Sequence, residues 1–452
     1  MSKTQKIKVG TLFSNVDLRQ LIVPLVLEQA LAITVGMVDT MMVSSVGEAA
    51  VSGVSLVDMV NNLLFNIMAA LSTGGAVVAS QYIGAGMRKE ACNSAKQLVV
   101  AAIGFASILM LLVIVSRQPL LLLLFGKIEA DVMEGALIYM TITALSFPFL
   151  ALYNACAALF RSMQNSKVTF KVSVLINLIN VTGNAICVLG LHMGVAGVAI
   201  PTLVSRAVGA VILYILLKNP KHKIYLDSSK YKFQGSLVKK ILQIGIPSGI
   251  ENGIFQLGRV LVVSIVSGMG TVQIAANGVA NGLASMGCII PGAVNLAMIS
   301  VIGQCVGAGD MSQVRYYTKK LLAIAYMGGA FINIIILVGL PWILMLYGIS
   351  EETRAVVTNL IWLHNGIGIF MWPASFTLPN MLRACNDVKF TMIVSICSMF
   401  VLRIGFSNIL GVYFEMGIIG VWTAMILDWI CRISFFVPRY LSGKWEKRCR
   451  II

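Results

Sequence analysis

The 452-residue chain is 58% hydrophobic and 12% charged, with a mean hydropathy of +0.89, which fits a membrane protein of about a dozen spans of roughly 20 apolar residues each. Its net charge of +16 does not indicate nucleic-acid binding, because the Lys and Arg residues concentrate on one side of the predicted membrane. Three of them, Arg117, Lys127 and Arg354, lie on the other side. Four more lie inside spans: Arg206, Arg259, Arg403 and Arg432. Both termini are therefore expected in the cytoplasm, with membrane lipid and not nucleic acid around the chain.

Twelve hydrophobic segments are predicted to span the membrane. In chain order they cover residues 19–45, 51–83, 92–115, 132–157, 167–190, 195–217, 238–266, 272–305, 315–346, 355–380, 388–411 and 418–441. A lysine-rich stretch at 218–237 is the only long connection. The expected domains are therefore an amino-terminal lobe (1–217), a cytoplasmic linker (218–237) and a carboxy-terminal lobe (238–452).

The two lobes are copies of one sequence pattern. Residues 23–87 recur at 246–310 without a gap, displaced by 223 positions, so that Pro24 corresponds to Pro247 and Glu28 to Glu251. A duplication of this length in an apolar chain is typical of a transporter built from two structural repeats. Because each half has an even number of spans, the predicted fold is an all-α membrane protein whose two homologous six-helix lobes are related by a pseudo-two-fold axis along the membrane normal.

The first span contains an acid that the repeat does not duplicate. Asp39 corresponds to Val262 in the second half, and an ionisable group at membrane depth costs about 2.5 to 3.5 kcal/mol. A functional role is therefore favoured over a structural one. Glu28 lies eleven residues earlier on the same helix face, roughly 16 Å away, so this face is predicted to line a polar interior.

Further polar residues lie in the second, fourth and fifth spans. Asn177, Asn180 and Asn184 follow each other at helical spacing and form one amide stripe, whose counterparts near Arg403 and Ser407 carry none. One carboxylate with amide oxygens suits Na⁺, or a carboxyl that exchanges a proton. The alternative is that the asparagines only bond helices together. Asp58 and Tyr139 are two further cavity candidates. Asp58 is near enough to the cavity to meet a cationic substrate, but interhelical bonding explains it equally well.

The remaining charged and histidine residues inside spans are interpreted more simply. Asp428 and Arg432 are four residues apart on the last span and are predicted to form an internal ion pair. His364 is predicted to be a polar core residue. Pro24 and Pro247, in spans one and seven, predict symmetric helix kinks. Such kinks could act as gates that link ion binding to the volume of the cavity.

Several motifs together resemble the multidrug and toxic compound extrusion (MATE) family. They are Val-Asp-Thr at 38–40 followed by a glycine turn at 44–47, Gln-x-x-Gly-Ala-Gly at the end of both second spans, and Arg-x-x-x-(Asn/Asp) loops beginning at Arg161 and Arg383. The resemblance implies two six-helix lobes around a V-shaped cavity. It also implies a monomeric antiporter of the inner membrane, not an enzyme, that exports amphipathic, cationic small organic compounds in exchange for H⁺ or Na⁺. No cofactor other than this ion is expected.

Transferred residue by residue, the resemblance assigns the cation site, with Na⁺ as one candidate ion, to four residues of the first lobe: Asp39, Asn180, Asn184 and Thr202. Asn184 stands where the branch resembling DinF has an aspartate, which leaves one acid in place of two. The branch resembling NorM has acids in the second lobe where this chain has Phe255 and Trp372, so no such site is expected there. Glu251 lies one helical turn from Phe255 and could substitute for the missing acid. Its twin Glu28, however, favours a symmetric structural role for both glutamates.

Two other functional classes remain open from the sequence. A lipid-linked saccharide flippase would be expected to have a strongly basic cavity, and the four arginines inside spans keep this alternative open. A membrane-embedded enzyme is disfavoured, because the three histidines, at 192, 222 and 364, are scattered and show no catalytic spacing.

Overall fold

A computed structural model of the chain describes residues 11–127, 129–227 and 231–449. The first ten residues, which belong to the predicted basic tail, lie outside the described residues, as do residues 228–230 of the predicted linker. Long apolar stretches become helices here because a helix satisfies all of its interior backbone hydrogen bonds within one segment.

The amino-terminal lobe consists of seven α-helices. They are α1 (Asn15–Ser44), α2 (Glu48–Gly84), α3 (Arg88–Phe125), α4 (Ala130–Leu145), α5 (Phe147–Ser162), α6 (Ser166–Asn184) and α7 (Ala196–Leu217). A π-helical segment, Ala185–Gly190, continues α6 without a break.

The carboxy-terminal lobe repeats this arrangement with more interruptions. Its helices are α8 (Gly235–Ser267), α9 (Thr271–Gly287), α10 (Ile289–Gly307), α11 (Met311–Leu346), α12 (Glu351–Ile361), α13 (Ile367–Trp372), α14 (Leu378–Ala384), α15 (Val388–Ser398) and α16 (Gly417–Leu441). Short π-helical segments join α12, α13 and α14 into one span and extend α15 to Tyr413.

The predicted membrane architecture is confirmed. In the described part of the chain, eleven helical segments are long and apolar enough to cross a membrane, and α4 with α5 forms a twelfth span that is bent by 44°. Both lobes are all-helical in the described ranges, and helices α7 and α8 flank the predicted linker.

Two of the predicted spans, 132–157 and 272–305, are each divided into two helices. The first breaks at Ser146 and the second at Cys288. Pro291 explains the second break, because it has no N–H for the carbonyl of Gly287; that carbonyl instead accepts a hydrogen bond from Asn333 Nδ2 at 3.2 Å. The repeat counterpart of Pro291 is Met68, and α2 is accordingly continuous.

The third span is also longer than predicted. Helix α3 continues to Phe125, ten residues past the expected end at 115, and therefore includes Arg117, which was expected in a loop. The guanidinium of Arg117 donates a hydrogen bond to Thr141 Oγ1 at 2.5 Å, which gives this cation a partner on the fourth span.

The lobes meet through a symmetric crossing of α2 and α10. A Cβ atom added to Gly84 would lie 2.0 Å from the carbonyl oxygen of Gln304, and one added to Gly307 would lie 1.9 Å from that of Gln81. Only glycine permits this approach. The two glutamine side chains also bind across the lobes, since Gln81 Nε2 donates to Ala384 O at 3.0 Å and Gln304 Nε2 donates to Ser162 O at 2.6 Å. Equivalent residues therefore make equivalent contacts, as pseudo-two-fold symmetry requires.

This crossing lies at the end of the molecule that contains both described chain ends, here called the terminal side. The segment before α1 also reaches the other lobe there: Phe13 N donates to Tyr317 Oη at 2.9 Å, and the hydroxyl donates back to Phe13 O at 2.7 Å. The lobes are thus held together at the terminal side.

Candidate functional site

A chain of hydrogen bonds connects four predicted site residues of the amino-terminal lobe. Asn184 Nδ2 donates to Asp39 Oδ1 at 2.9 Å and also lies 3.3 Å from Asn180 Oδ1. Asn180 Nδ2 in turn donates to Thr202 Oγ1 at 3.0 Å. The structure therefore brings together Asp39 on α1, both asparagines on α6 and Thr202 on α7. The group is called the Asp39 network below.

Local sequence explains how three helices converge at this point. Asn180 and Asn184 are one turn apart and share a face of α6, and the helix widens into the π-helical segment directly after Asn184. Such π segments are frequent at functional sites. Gly183 allows α7 to approach, because a Cβ atom there would lie 2.7 Å from the Pro201 side chain.

The network is buried but not sealed. Asn184 and Asn180 are almost inaccessible to solvent, whereas Asp39 is half-buried. Within the described residues the Asn184 Oδ1 atom has no hydrogen-bond partner. The network therefore combines a carboxylate that solvent can reach with a buried amide oxygen that can still accept a hydrogen bond or bind a cation.

Asn177 does not join this network. Its Nδ2 atom donates to Ser173 O at 2.8 Å, within its own helix. The predicted amide stripe thus divides into two residues that face Asp39 and one that serves α6 itself.

A second polar group lies on α2, α4 and α7. Tyr139 Oη donates to Asp58 Oδ1 at 3.1 Å. Arg206, whose partner the sequence did not identify, donates to Ser146 Oγ at 2.7 Å and stacks 4.6 Å from the Phe65 ring centroid. Ser146 lies at the break between α4 and α5, which the sequence did not locate.

Two equivalent ion pairs occupy corresponding positions in the lobes. Arg161 lies 3.8 Å from Glu28, and Arg383 lies 2.7 Å from Glu251. A hydroxyl supports each acid: Thr169 Oγ1 donates to Glu28 at 3.2 Å, and Ser395 Oγ donates to Glu251 at 2.6 Å. The geometry matches the symmetric structural role that the sequence favoured.

The predicted pair on the last span is present in the structure. Arg432 Nε lies 3.0 Å from Asp428 Oδ1, and both side chains are buried. The same guanidinium donates to Ser395 Oγ at 3.0 Å. Because Ser395 also bonds to Glu251, the two acids and their arginines form one connected set.

A cavity of about 570 Å³ lies between the lobes, mainly against the second. Among the described residues that line it there is no carboxylate, and Phe255 and Trp372 stand in its wall where the branch resembling NorM has acids. His364 lies at its margin, buried between Trp422 and Trp429, whose ring centroids are 5.4 and 5.0 Å from the imidazole. The other lining groups that matter here are Arg259, Phe376 and Arg403.

The side chains that usually bind metal ions are not clustered in the described part of the chain. No group of three or more His, Cys, Asp or Glu side chains is close enough to hold a metal in the described ranges. A cation at the Asp39 network would therefore use one carboxylate together with amide and hydroxyl oxygens, a donor set that suits Na⁺ better than a transition metal.

Comparison with known proteins gives a consistent result over the whole chain. The family model MatE matches residues 24–186 and 247–409, two stretches with the same displacement of 223 as the internal repeat. A probable multidrug resistance protein NorM from Thermotoga maritima is 26% identical over 440 residues, which cover 96% of this chain and 93% of that protein. The uncharacterised transporter YisQ from Bacillus subtilis is 24% identical over 433 residues, 94% of each chain. A solved structure of a multidrug resistance MATE family transporter of the MOP superfamily, in an outward-facing conformation, has a TM-score of 0.88 at 18% identity, covering 96% of each chain.

Proposed function

The chain belongs to the MatE family of multidrug efflux transporters, and from this premise we propose that it is a secondary active antiporter that exports amphipathic organic compounds in exchange for H⁺ or Na⁺. The observation that carries the proposal is the Asp39 network, in which a half-buried acid on α1 is bonded through Asn184 to Asn180 and Thr202. No cofactor is part of the proposal, because the coupling ion itself drives export.

The network offers a way to couple ion binding to helix packing. As a carboxylate, Asp39 accepts the N–H of Asn184. Once protonated, it becomes a donor and needs an acceptor, and the Asn184 Oδ1 atom has no other partner among the described residues. Turning the amide of Asn184 by half a rotation would satisfy the protonated acid and would break the bond to Asn180. Loading the ion would thereby alter the contacts among α1, α6 and α7.

Sodium could use the same movement. With the Asn184 amide alone turned, the side-chain oxygens of Asp39, Asn184 and Asn180 would face one another, with the Thr202 hydroxyl beside Asn180, and hard oxygen ligands suit Na⁺. In both versions the ion neutralises the single charge of Asp39. The two versions therefore differ in the ion and not in the residues that bind it.

Efflux from proteoliposomes tests the proposal and separates the ions. The purified chain would be reconstituted with an entrapped amphipathic dye, and a pH gradient or a sodium gradient would be imposed alone. We expect dye movement against its own gradient with one of the two ions, and loss of that movement in Asp39→Asn. Passive, gradient-independent leakage in both conditions would contradict antiport.

The remaining predictions on orientation and assembly belong to the same proposal. We place the protein in the inner membrane with the terminal side facing the cytoplasm, which the excess of Lys and Arg on that side supports. One chain is proposed to suffice, because both lobes and the complete Asp39 network lie within it. The preference for cationic compounds implied by the family resemblance is supported only in the first lobe, by Asp39 and Asp58.

A lipid-linked saccharide flippase is the second candidate, and one observation favours it: Arg259 and Arg403 both line the central cavity. Translocation of a fluorescent lipid-linked saccharide without any ion gradient would support a flippase. Strict dependence of transport on the imposed gradient would support the antiporter.

A further inference from the structure

The cavity of the carboxy-terminal lobe contains more positive than negative charge. The described residues of this lobe place two acids in the membrane interior, Glu251 and Asp428, and each has an arginine within 3.0 Å, Arg383 and Arg432 respectively. The other two arginines in these spans are Arg259 and Arg403. They line the cavity, whose described lining includes no carboxylate.

Arg403 and Arg259 are the surplus charges. Arg403 NH1 lies 3.9 Å from Asp428 Oδ2, at the limit of an ion pair with an acid that Arg432 already binds. Arg259 makes no ion pair or hydrogen bond with any described residue, and it lines the same cavity as Arg403. Its side chain is exposed to the cavity. Two guanidinium groups in the wall of one cavity repel each other, and an anion between them would relieve that repulsion.

The unsatisfied groups of the wall are mainly donors. Arg403 Nε and Trp429 Nε1 are buried N–H groups without a hydrogen-bond partner among the described residues, and both residues line the cavity. Asn295 Oδ1 is a buried acceptor that also has no hydrogen-bond partner among the described residues, but its amide can turn to present the nitrogen instead. A ligand rich in acceptor oxygens would satisfy this wall, because unpaired buried donors are costly.

The aromatic residues do not form a cage for a cation. The Arg403 guanidinium lies 5.4 Å from the Phe255 ring centroid, and the Arg432 guanidinium lies 5.7 Å from Phe255 and 5.1 Å from Phe376. The ring faces that would attract a cationic ligand thus already face protein cations. Ring edges and Trp372 remain available to contact an apolar body.

The first lobe has no equivalent of this charge. By the displacement of 223, Arg259 corresponds to Gly36, while Arg403 stands opposite the asparagine stripe of α6. Conversely, Asp39 corresponds to Val262. The two lobes have therefore acquired opposite interior charge on one shared scaffold, and the acid of the first lobe has a coupling role in our proposal.

We propose that the carboxy-terminal cavity binds an organic oxyanion, a carboxylate, sulfonate or phosphate on an apolar or aromatic body, with Arg259 and Arg403 holding the anionic head between them. The inference deepens the proposed function by naming a substrate class for the antiporter. A volume of about 570 Å³ lies within the range that accommodates a drug-sized molecule. The same chemistry could come from a free organic anion or from the headgroup of an anionic lipid.

Equilibrium binding to the full chain in phosphatidylcholine nanodiscs tests whether the carboxy-terminal cavity binds an oxyanion. Because this measurement needs no ion gradient, a failure of antiport and a failure of oxyanion binding remain separate results. The probes are radiolabelled naphthalene sulfonate and naphthylmethyl trimethylammonium, which share a body and differ in charge. We expect Arg259→Gln and Arg403→Gln each to weaken sulfonate binding by about tenfold or more, the usual scale for a charge-assisted hydrogen bond. Ammonium binding should be unchanged or tighter.

Two further variants control for folding. Arg403→Lys keeps the charge and should retain most of the sulfonate affinity, whereas Arg117→Gln, which removes an arginine of the first lobe, should change neither probe. Competition by a short-chain phosphatidate would assign the site to a lipid headgroup, and its failure to compete would assign it to a free organic anion. Sulfonate affinity that is the same in Arg259→Gln, Arg403→Gln and the unmodified chain would overturn the proposal.

Discussion

The side-chain nitrogen of Asn184 lies 2.9 Å from Oδ1 of Asp39, and this contact joins α1 to α6 at an acid whose repeat counterpart is Val262. The bond has a fixed direction, because a carboxylate accepts and an amide nitrogen donates. Any change in the charge of Asp39 must therefore change the contact. The first two predictions follow from this requirement.

Replacing Asp39 with Asn should stop gradient-driven export. The new side chain has similar size and can still bond to Asn184, but it neither binds a proton in the accessible pH range nor carries charge for Na⁺. Substrate binding should persist, and the measurement is dye efflux from proteoliposomes. Adding Val262→Asp to this variant should not restore export, because the second lobe has no asparagine stripe opposite position 262. Full efflux by Asp39→Asn at every pH would exclude the coupling role.

Replacing Asn184 with Asp should extend coupled transport to higher pH or strengthen its dependence on sodium. Two carboxylates at hydrogen-bonding distance cannot both remain charged cheaply, so the pair would keep a shared proton, or hold a cation, more firmly than Asp39 alone. The measurement is the initial efflux rate between pH 5 and 9, with and without Na⁺. An unchanged profile in both series would place Asn184 among the residues that only pack helices.

Much of the fold could be predicted from sequence because hydropathy and the repeat specify which residues form helices. The same repeat located Asp39 as an unpaired acid, helical spacing pointed to Asn180 and Asn184, and the family resemblance added Thr202. The breaks at Ser146 and Cys288 were missed. A single apolar stretch does not reveal that the carbonyl freed by Pro291 will find Asn333 on another helix.

The contacts of the arginines were also beyond prediction from sequence. Arg206 binds Ser146, and Arg403 converges on the cavity with Arg259, in each case from a different span. Helical periodicity gives the face on which a residue lies, but the neighbouring helix and its vertical register depend on the packing of the whole lobe. Charge alone therefore could not separate paired arginines from those that line the cavity.

The two equivalent ion pairs should contribute unequally to stability. Glu251 is nearly inaccessible and lies 2.7 Å from Arg383, whereas the Glu28 pair is more open, with its closest atoms 3.8 Å apart. Breaking a buried pair costs about 3–5 kcal/mol, because it leaves an uncompensated charge. Glu251→Gln should therefore lower the Tm in detergent clearly more than Glu28→Gln. Equal shifts in the two variants would show that burial does not distinguish the pairs.

Asp310, in the loop before α11, should stabilise the protein in a pH-dependent way. Its carboxylate accepts hydrogen bonds from the Ser312 hydroxyl at 2.6 Å and from the backbone N–H groups of Ser312 and Gln313 at 3.1 Å. These bonds, that of the Ser312 hydroxyl first, hold the pKa of Asp310 below its ordinary value of 3.8. The stabilisation is therefore complete above that value and is lost as pH falls through the lower folded-state pKa.

Asp310→Ala should accordingly cost about 1 kcal/mol, the usual value of a helix N-cap. The difference in Tm from the unmodified chain should be the same at pH 7 and pH 5 and should shrink below about pH 4. Met87, the repeat counterpart, makes no side-chain cap for α3, so Met87→Ala serves as the control and should show no such pH dependence. A Tm difference for Asp310→Ala that grows on acidification would contradict the assignment.

Pro24 differs from its twin Pro247 in how the lost backbone bond is replaced. Proline has no N–H for the carbonyl four residues earlier, which for Pro24 is that of Gln20. The Ser166 hydroxyl lies 3.2 Å from this oxygen and 2.6 Å from that of Leu21. In this part of the repeat the displacement is 222, as it is between Arg161 and Arg383, so the counterpart of Ser166 is Val388, whose side chain cannot donate. The turn of α1 that precedes Pro24 is thus bonded to α6, the helix that carries Asn180 and Asn184.

Pro24→Ala should therefore slow export without preventing membrane insertion or substrate binding. Restoring the N–H favours a straight helix by an amount on the order of 3 kcal/mol, enough to shift a two-state equilibrium about a hundredfold toward one conformation. Pro247→Ala should have a smaller effect, because position 262 of the second lobe is Val in place of Asp39, and no described hydroxyl of that lobe bonds the carbonyl freed by Pro247. Ser166→Ala should resemble Pro24→Ala in direction, since it releases α1 from α6. The measurement is the initial efflux rate in matched proteoliposomes, and small, equal effects in both proline variants would show that the prolines shape the resting fold and do not gate transport.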